Sequence, residues 1–469
     1  MTVARNREGD RERAEALFSA GDVQGALALY RRLVRAAPQD AELQNDLGTV
    51  CFAAGELEAS LRHIRRALSL RPDFPEARSN LAMACRSAGL SPESDGNRPW
   101  RITFLDPCVY CLLPLWRAIR ERPGVRCQWA VTRERASRDL VLQLGGDRII
   151  YTPDDPRGPA LTRFVEVLQS DVIISSTWNR AETIATDALI VQTFHGLCDK
   201  VYYLKPRRAQ LYDLLLLPSD FHRALYTRYG VLKEGGPRAR VVGWSRIDCY
   251  AAPCEFNARE VRADYGFEEG RPVVFYAPTW SKFGQRGLFC RWGDRESAVL
   301  ERLCREIPRL GATFVVKLHP LLQKELANRD GFWDRLRRAV DRHDHVRLLD
   351  AEKKEDPQAL LFVTDVLITD TSSIFADYLA LDRPIVFIDP RDHGWERTEI
   401  CASSRPGFIV QEPHDLVEAV ADSLQFPARY KHDRKRVFRK LVSHFDGQAA
   451  ERGADAVLRL LREGRQRAA

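Results

Sequence analysis

From Arg101 onward the chain alternates short, continuous apolar runs with longer stretches of helical periodicity. Runs of that kind are what parallel strands buried on both faces require, and their alternation with helices predicts βαβ units. A first series of strands is expected at 102–105, 128–131, 148–151, 172–175, 188–192, 214–218 and 240–242. A second is expected at 272–276, 313–318, 346–348, 366–369, 385–388 and 407–410. Each series has the length of one Rossmann-like domain. Two such domains facing each other leave a cleft at the carboxyl ends of their strands, and the suggestive polar residues of this chain fall after strands. The clearest unit runs from Val366 to Ile388: an apolar strand, the turn Thr369-Asp-Thr-Ser-Ser373, an amphipathic helix and a second apolar strand. The first N–H groups of such a helix are unpaired and sit at its positive end, so the unit offers a phosphate site. An ordinary capped helix accounts for the local sequence equally well.

The first ninety residues have a different pattern. Gly21, Gly55 and Gly89 are spaced by 34, as are Pro38 and Pro72. Phe18 aligns with Phe52, Ala26 with Ser60, Tyr30 with Ile64, and Leu47-Gly48 with Leu81-Ala82. Leu47, Gly48, Gly55, Ala67 and Pro72 resemble the small-residue and proline positions of the tetratricopeptide repeat. Small residues let paired helices approach, and the proline breaks the chain before the next repeat. The repeats fit a groove for a partner segment and a structural cap on the next domain equally. A polar, turn-rich stretch after Gly89 reads as a linker.

Composition narrows the classes. With 469 residues and 45% hydrophobic content the chain can build several full cores. No apolar run approaches the length of a membrane span and the first residues lack the apolar core of a signal peptide, so a cytoplasmic location is expected. Eleven scattered cysteines without that signal read as reduced thiols. Cys108 and Cys111 form a lone C-x-x-C, better explained by packing than by zinc or redox chemistry. The net charge of +7, carried mainly by arginine, suits an anionic substrate or an anionic lipid surface. No nucleic-acid signature accompanies it.

Three segments after strands can carry chemistry. In Thr193-Phe-His-Gly-Leu-Cys-Asp-Lys200, His195 fits a general base, a phosphate donor or a structural histidine, Gly196 permits close backbone approach by a ligand, and Lys200 adds charge. In Val273-Val-Phe-Tyr-Ala-Pro-Thr-Trp-Ser-Lys282, Thr279, Ser281 and Lys282 supply donors and Trp280 a flat apolar face. In Phe314-Val-Val-Lys-Leu-His-Pro320, Lys317 and His319 share one face of a strand end. Glu182, Asp199 and Asp248 are acidic candidates that no spacing singles out. The chain has no Walker A loop, no G-x-G-x-x-G, no G-x-S-x-G, no H-E-x-x-H and no Asp-x-Asp pair, so neither a metal nor a cofactor is implied.

Over roughly residues 185–450 these segments, in this order, resemble the CDP-glycerol glycerophosphotransferase family of teichoic-acid-type polymer synthesis. Gln192-Thr-Phe-His-Gly196 is similar to that family's histidine-glycine segment, Tyr276-Ala-Pro-Thr-Trp280 to its tryptophan segment and Val316-Lys-Leu-His-Pro320 to its second histidine segment. Thr369-Asp-Thr-Ser-Ser-Ile-Phe-Ala-Asp377 with Arg383-Pro384 is similar to its serine-rich nucleotide segment, and Phe445-Asp-Gly-Gln-Ala449 with Arg452 to its closing helix. The chain departs from the family at Phe194 (usually Trp), at Leu197-Cys198 (usually Thr-Pro) and at Ser245 (usually Pro), all toward the acceptor half.

The resemblance implies an α/β chain of two Rossmann-like domains facing a cleft (GT-B type), preceded by an all-α repeat domain. The expected division is 1–97 for the repeats, 98–255 completed by 430–469 for the acceptor domain, and 256–429 for the nucleotide domain. The implied reaction moves a polyol phosphate from a CDP-polyol donor to a hydroxyl of a lipid-linked or saccharide acceptor, releasing CMP. His195 and His319 are the implied catalytic residues. Gly196, Lys200, Arg246, Thr279, Trp280, Lys317, Asp370, Thr371, Ser372, Ser373 and Asp377 are the implied substrate-binding set. A protein partner for the repeats and a peripheral site on the inner face of the plasma membrane stay open. Rival readings are a GT-B glycosyltransferase, a UDP-sugar 2-epimerase, and a repeat scaffold with a degenerate transferase half.

Overall fold

The computed structural model describes residues 2–71, 73–87, 99–105, 109–131, 148–151, 168–177, 188–197, 209, 211–279, 296–319, 322–323, 331–350, 356–370, 372–389 and 404–468. Five helices come first: α1 (Thr2–Ser19), α2 (Val23–Ala36), α3 (Ala41–Ala53), α4 (Leu57–Leu70) and α5 (Pro75–Ser87). The repeating glycines explain themselves here. Gly21 and Gly55 take φ of +86° and +78° in the turns between paired helices, a conformation side-chain-bearing residues avoid. At Gly48 an added Cβ would lie 2.5 Å from Ile64 Cγ1, so only glycine lets α3 and α4 pack this closely. Asp22 and Asp40 cap α2 and α3 by accepting from N–H groups of their first turns. Pro72 and Gly89 lie outside the described residues.

The first α/β unit comprises β1 (Trp100–Leu105), α6 (Val109–Arg120), β2 (Val125–Val131), β3 (Arg148–Tyr151), β4 (Val172–Ser175), β5 (Leu189–Gln192), β6 (Leu214–Leu217), α7 (Asp220–Arg228) and β7 (Arg238–Val241). Its seven strands are parallel, in the order β3-β2-β1-β4-β5-β6-β7. The edge strand β7 begins two residues earlier than its apolar pattern suggests, because its arginines lie on half-exposed backbone and hide the strand.

After α8 (Ala258–Asp264) the second unit comprises β8 (Val273–Tyr276), α9 (Glu296–Glu306), β9 (Thr313–Val316), α10 (Phe332–Asp341), β10 (Val346–Leu348), α11 (Gln358–Val363), β11 (Val366–Thr369), α12 (Ile374–Tyr378), β12 (Ile385–Ile388), β13 (Phe408–Val410) and α13 (Leu416–Gln425). Its six strands are also parallel, in the order β10-β9-β8-β11-β12-β13. In each sheet the chain reverses its winding at the centre, between β1 and β4 and between β8 and β11. Open α/β sheets bind ligands at that point.

Two helices close the described chain: α14 (Lys431–Leu441) lies across both units, packed on α7 and with Arg434 donating to Asp382 Oδ1 at 3.1 Å, and α15 (Ala449–Ala468) returns to the first unit. Ala454, Val457, Leu458 and Leu461 of α15 share one apolar core with α6, β1 and β4. Asp248 accepts from the N–H groups of Ala449 and Ala450 at 3.2 and 2.8 Å and so caps α15. Arg452 donates to the Val242 carbonyl and pairs with Asp446 through both nitrogens, pinning the approach to that helix. The repeats dock here as well. Helix α4 packs on α15, and Arg66 Nη2 lies 3.0 Å from Asp213 Oδ1 with both side chains largely buried. The other oxygen of Asp213 accepts from Ile190 N at the head of β5. The repeat region is thus seated on the first unit through one of its faces.

His222 of α7 is buried behind the loop that follows β5, with Nδ1 2.8 Å from Ser219 Oγ. Burial pushes its pKa down to about 3. The unfolded chain therefore binds a proton that the folded chain refuses between about pH 6.5 and 3, and stability falls as pH falls through that window. Half-buried Asp46 and Asp248, whose carboxyls are pushed up to about 6, act in the opposite sense over the same range, so the His222 loss is read as the difference between the parent and His222→Asn in urea unfolding at pH 7 and pH 4.5. The variant, which keeps a hydrogen-bonding group near the Nδ1 position and cannot titrate, should lack that loss; an unchanged slope would show that other groups set it.

Candidate active site between the two sheets

The carboxyl ends of the two sheets meet. At the end of β5, His195 Nδ1 lies 3.0 Å from the carbonyl oxygen of Ser176, just beyond β4 at the first winding reversal. A carbonyl only accepts, so Nδ1 carries the hydrogen and Nε2 is the basic nitrogen of the neutral ring. The preceding Phe194 has φ +68°, strained for a bulky residue, and its buried ring packs 5.6 Å from that of Tyr226. Cys111, one turn into α6, approaches the His195 carbonyl at 4.0 Å.

On the second unit, Thr369 Oγ1 donates to the Ala277 carbonyl at 2.7 Å and joins the ends of β11 and β8. The Asp370 carboxylate, 0% exposed, accepts from Thr279 N and Ser372 N at 3.0 Å each. It shapes both turns from beneath. Helix α12 has only five residues before a tighter turn ends at left-handed Asp382, so its dipole is short. Ser373 occupies its N-cap position without making a side-chain cap bond. That hydroxyl lies against Gly196 instead: a Cβ added there would be 2.6 Å from Ser373 Oγ and 2.7 Å from its Cβ. The space glycine leaves, expected to admit a ligand, admits the other unit. Gly196→Ala should destabilise the chain by about 1–3 kcal/mol in urea unfolding, because Ser373 Cβ is fixed to the backbone and cannot rotate away. Adding Ser373→Gly should recover most of it; no recovery would place the strain elsewhere.

Lys317 and His319 follow β9 on one side of buried Leu318, both half-buried. Since β9, β8 and β11 are successive neighbours, they stand about 10 Å along the same edge from the serine turn.

Arg246 and Asp377, which the resemblance puts in the substrate-binding set, are tied into a buried network between the units. Asp377 is 2% exposed and accepts from Trp244 Nε1 at 2.7 Å and Gln358 Nε2 at 2.9 Å, with Arg246 Nη2 at 3.3 Å. Arg246, 8% exposed, also lies over the Tyr110 ring at 4.9 Å. Burial opposes its charge, but Asp377 and Asp356 outweigh that and keep the guanidinium ionised. These residues join the units from within. Trp244 and Gln358 were not legible as partners of Asp377, because they lie 133 and 19 positions from it, beyond any helical or strand period. Lys200, Trp280 and Thr371 lie outside the described residues, as do Cys108, Glu182, Asp199, Ser281 and Lys282. Among the described residues no cluster of His, Cys, Asp or Glu could hold a metal, and no helix is long and apolar enough to cross a membrane.

Paired parallel sheets that meet at the carboxyl ends of their strands, closed by a helix that returns to the first sheet, define a GT-B-type protein. Residues 120–459 match the family model of the CDP-glycerol:poly(glycerophosphate) glycerophosphotransferases, and the chain belongs to that family. Residues 11–75 match a tetratricopeptide repeat model. The chain is 25% identical over 309 residues to the teichoic acid ribitol-phosphate polymerase TarL of Staphylococcus aureus, covering 57% of this chain and 50% of that one. It is 24% identical to a teichoic acid glycerol-phosphate transferase of the same organism (52% and 60% covered). A teichoic acid poly(glycerol phosphate) polymerase of Bacillus spizizenii is 27% identical (34% and 38% covered). The chain thus spans between 38% and 60% of the length of these relatives. In fold it is similar to the wall teichoic acid polymerase TagF, with a TM-score of 0.58 at 16% identity over 89% of this chain and 98% of that one. A TagF variant has also been solved after soaking with CDPG.

Proposed function

We propose that this chain transfers a polyol phosphate from a CDP-activated polyol to a hydroxyl of a lipid-linked or saccharide acceptor, releasing CMP, in cell-surface polymer synthesis. The observation that carries the reading is the contact of the His195-Gly196 loop with Ser373, in a chain of this family. The CDPG-soaked relative supports the donor class. The acceptor oxygen attacks the β-phosphorus, to which the polyol is attached. The bond from that phosphorus to the bridging oxygen breaks, and the electron pair leaves on CMP. His195 Nε2 takes the acceptor proton. His319, Lys317, Thr279 and the hydroxyls of Ser372 and Ser373 offset the charge that builds on the leaving phosphate. The work is positioning and electrostatics on a donor supplied in the cytoplasm, at the inner face of the membrane where a lipid-linked acceptor lies.

The deciding experiment is nucleotide release from a panel of CDP-polyols and nucleotide sugars, with lipid-linked and oligosaccharide acceptors. CMP from a CDP-polyol alone is expected. UDP released from a UDP-sugar, or no turnover with any donor, would overturn the reading.

A further inference from the structure

The turn that presents His195 is held by a residue the transfer chemistry does not use. Gln192, the last residue of β5, is fully buried, and its Oε1 accepts from Thr193 N at 3.0 Å and from Phe194 N at 3.1 Å. Its Nε2 is buried with no hydrogen-bond partner. The amide cannot be turned round, because that would set its N–H groups against two backbone N–H groups. A core glutamine that orphans its own donor to accept from two successive backbone groups is a poor stabiliser of the strand, and such exceptions call for a reason. The reason lies at the second of those groups. Phe194 has φ +68°, where a bulky residue stays only if its surroundings over-determine it. The amide holds its N–H and Tyr226 holds its ring. The next residue then meets Ser176 with Nδ1.

We infer that Gln192 is a positioning residue for His195: by clamping Phe194 in the left-handed conformation it sets the imidazole on the Ser176 carbonyl and fixes Nε2 as the basic nitrogen. Thr193 N is shared with the Ser175 carbonyl, so the bond to Phe194 N is the one that carries the effect. The rate consequence rests on the function proposed above; the geometric one does not.

The test is a double-mutant cycle read two ways in the full chain. Gln192→Leu should lower kcat for CMP release by about 50-fold, approaching the loss of the general base itself, and leave the donor KM within about twofold, because the donor is assigned to the other sheet. Phe194→Gly adopts positive φ without help, so Gln192→Leu in that background should cost under about fivefold. In parallel, nitrogen-15 spectra of the histidine rings, with His195→Gln to assign the signals, should show the Nδ1–H tautomer in the parent and a mixture in Gln192→Leu. Equal costs in both backgrounds, or an unchanged His195 tautomer, would overturn the inference. If Gln192→Leu does not fold, Gln192→Glu keeps the acceptor oxygen and should retain the tautomer; its loss there is equally fatal. A parent chain that releases no nucleotide sinks the proposed function, while the spectra still decide the clamp.

Discussion

Alanine at His195 is expected to lower CMP release by about a hundredfold to ten-thousandfold, the range lost with a general base, at unchanged stability. The ring sits half-buried on a loop, so its removal opens no core cavity. What disappears is the basic Nε2 that the Ser176 carbonyl defines from the far side of the ring. His195→Asn separates two explanations of that loss. Its side-chain N–H can still donate to Ser176 and hold the loop, yet it has no base to offer, so it should be as inactive as alanine. His319→Ala should also lower kcat and should weaken the donor, since it stands on the edge assigned to the nucleotide. Near-parental turnover in His195→Ala would remove this residue from the mechanism, and full activity in the asparagine variant alone would reduce it to a structural anchor.

A second large effect is expected in unfolding. Asp377→Ala leaves a buried guanidinium with only the longer 3.7 Å approach to Asp356 and deprives two further donors, Trp244 Nε1 and Gln358 Nε2, of their acceptor. Breaking a buried pair from one side costs about 3–5 kcal/mol, measured by urea denaturation. The double variant Asp377→Ala, Arg246→Met removes the stranded charge and should recover part of the loss. A cost below about 1 kcal/mol for the single variant would mean that water or another group replaces the carboxylate and that the knot does not hold the units together.

The strands were legible because a parallel strand covered on both faces must be apolar throughout, so β4, β8, β11 and β12 announce themselves as unbroken runs. Half-exposed β7, with two arginines in four residues, does not. The site was legible to the extent that its residues sit just after strands: His195, His319 and Ser373 all do. The reason for Gly196 was not. Glycine marks a close approach in sequence, but only the fold reveals that the neighbour is Ser373. The amphipathic stretch after Ser373 carried no mark of where its helix ends; the backbone tightens after Tyr378 and turns left-handed at Asp382. The Arg66–Asp213 and Arg246–Asp377 pairs lie 147 and 131 positions apart and leave no periodic trace.

The seating of α4 on α15 bears on how the chain is made. The repeats are made well before residues 449–461 of α15, on which α4 packs, and until then only the Asp213 side of their seat is present. At typical elongation rates of roughly 5–20 residues per second, the interval between residue 70 and residue 449 is on the order of 20–80 s. Throughout it, the face of α4 and the open side of the first sheet stand uncovered. Both apolar surfaces wait on one helix, and exposed surface of this kind is what makes a nascent chain prone to aggregate.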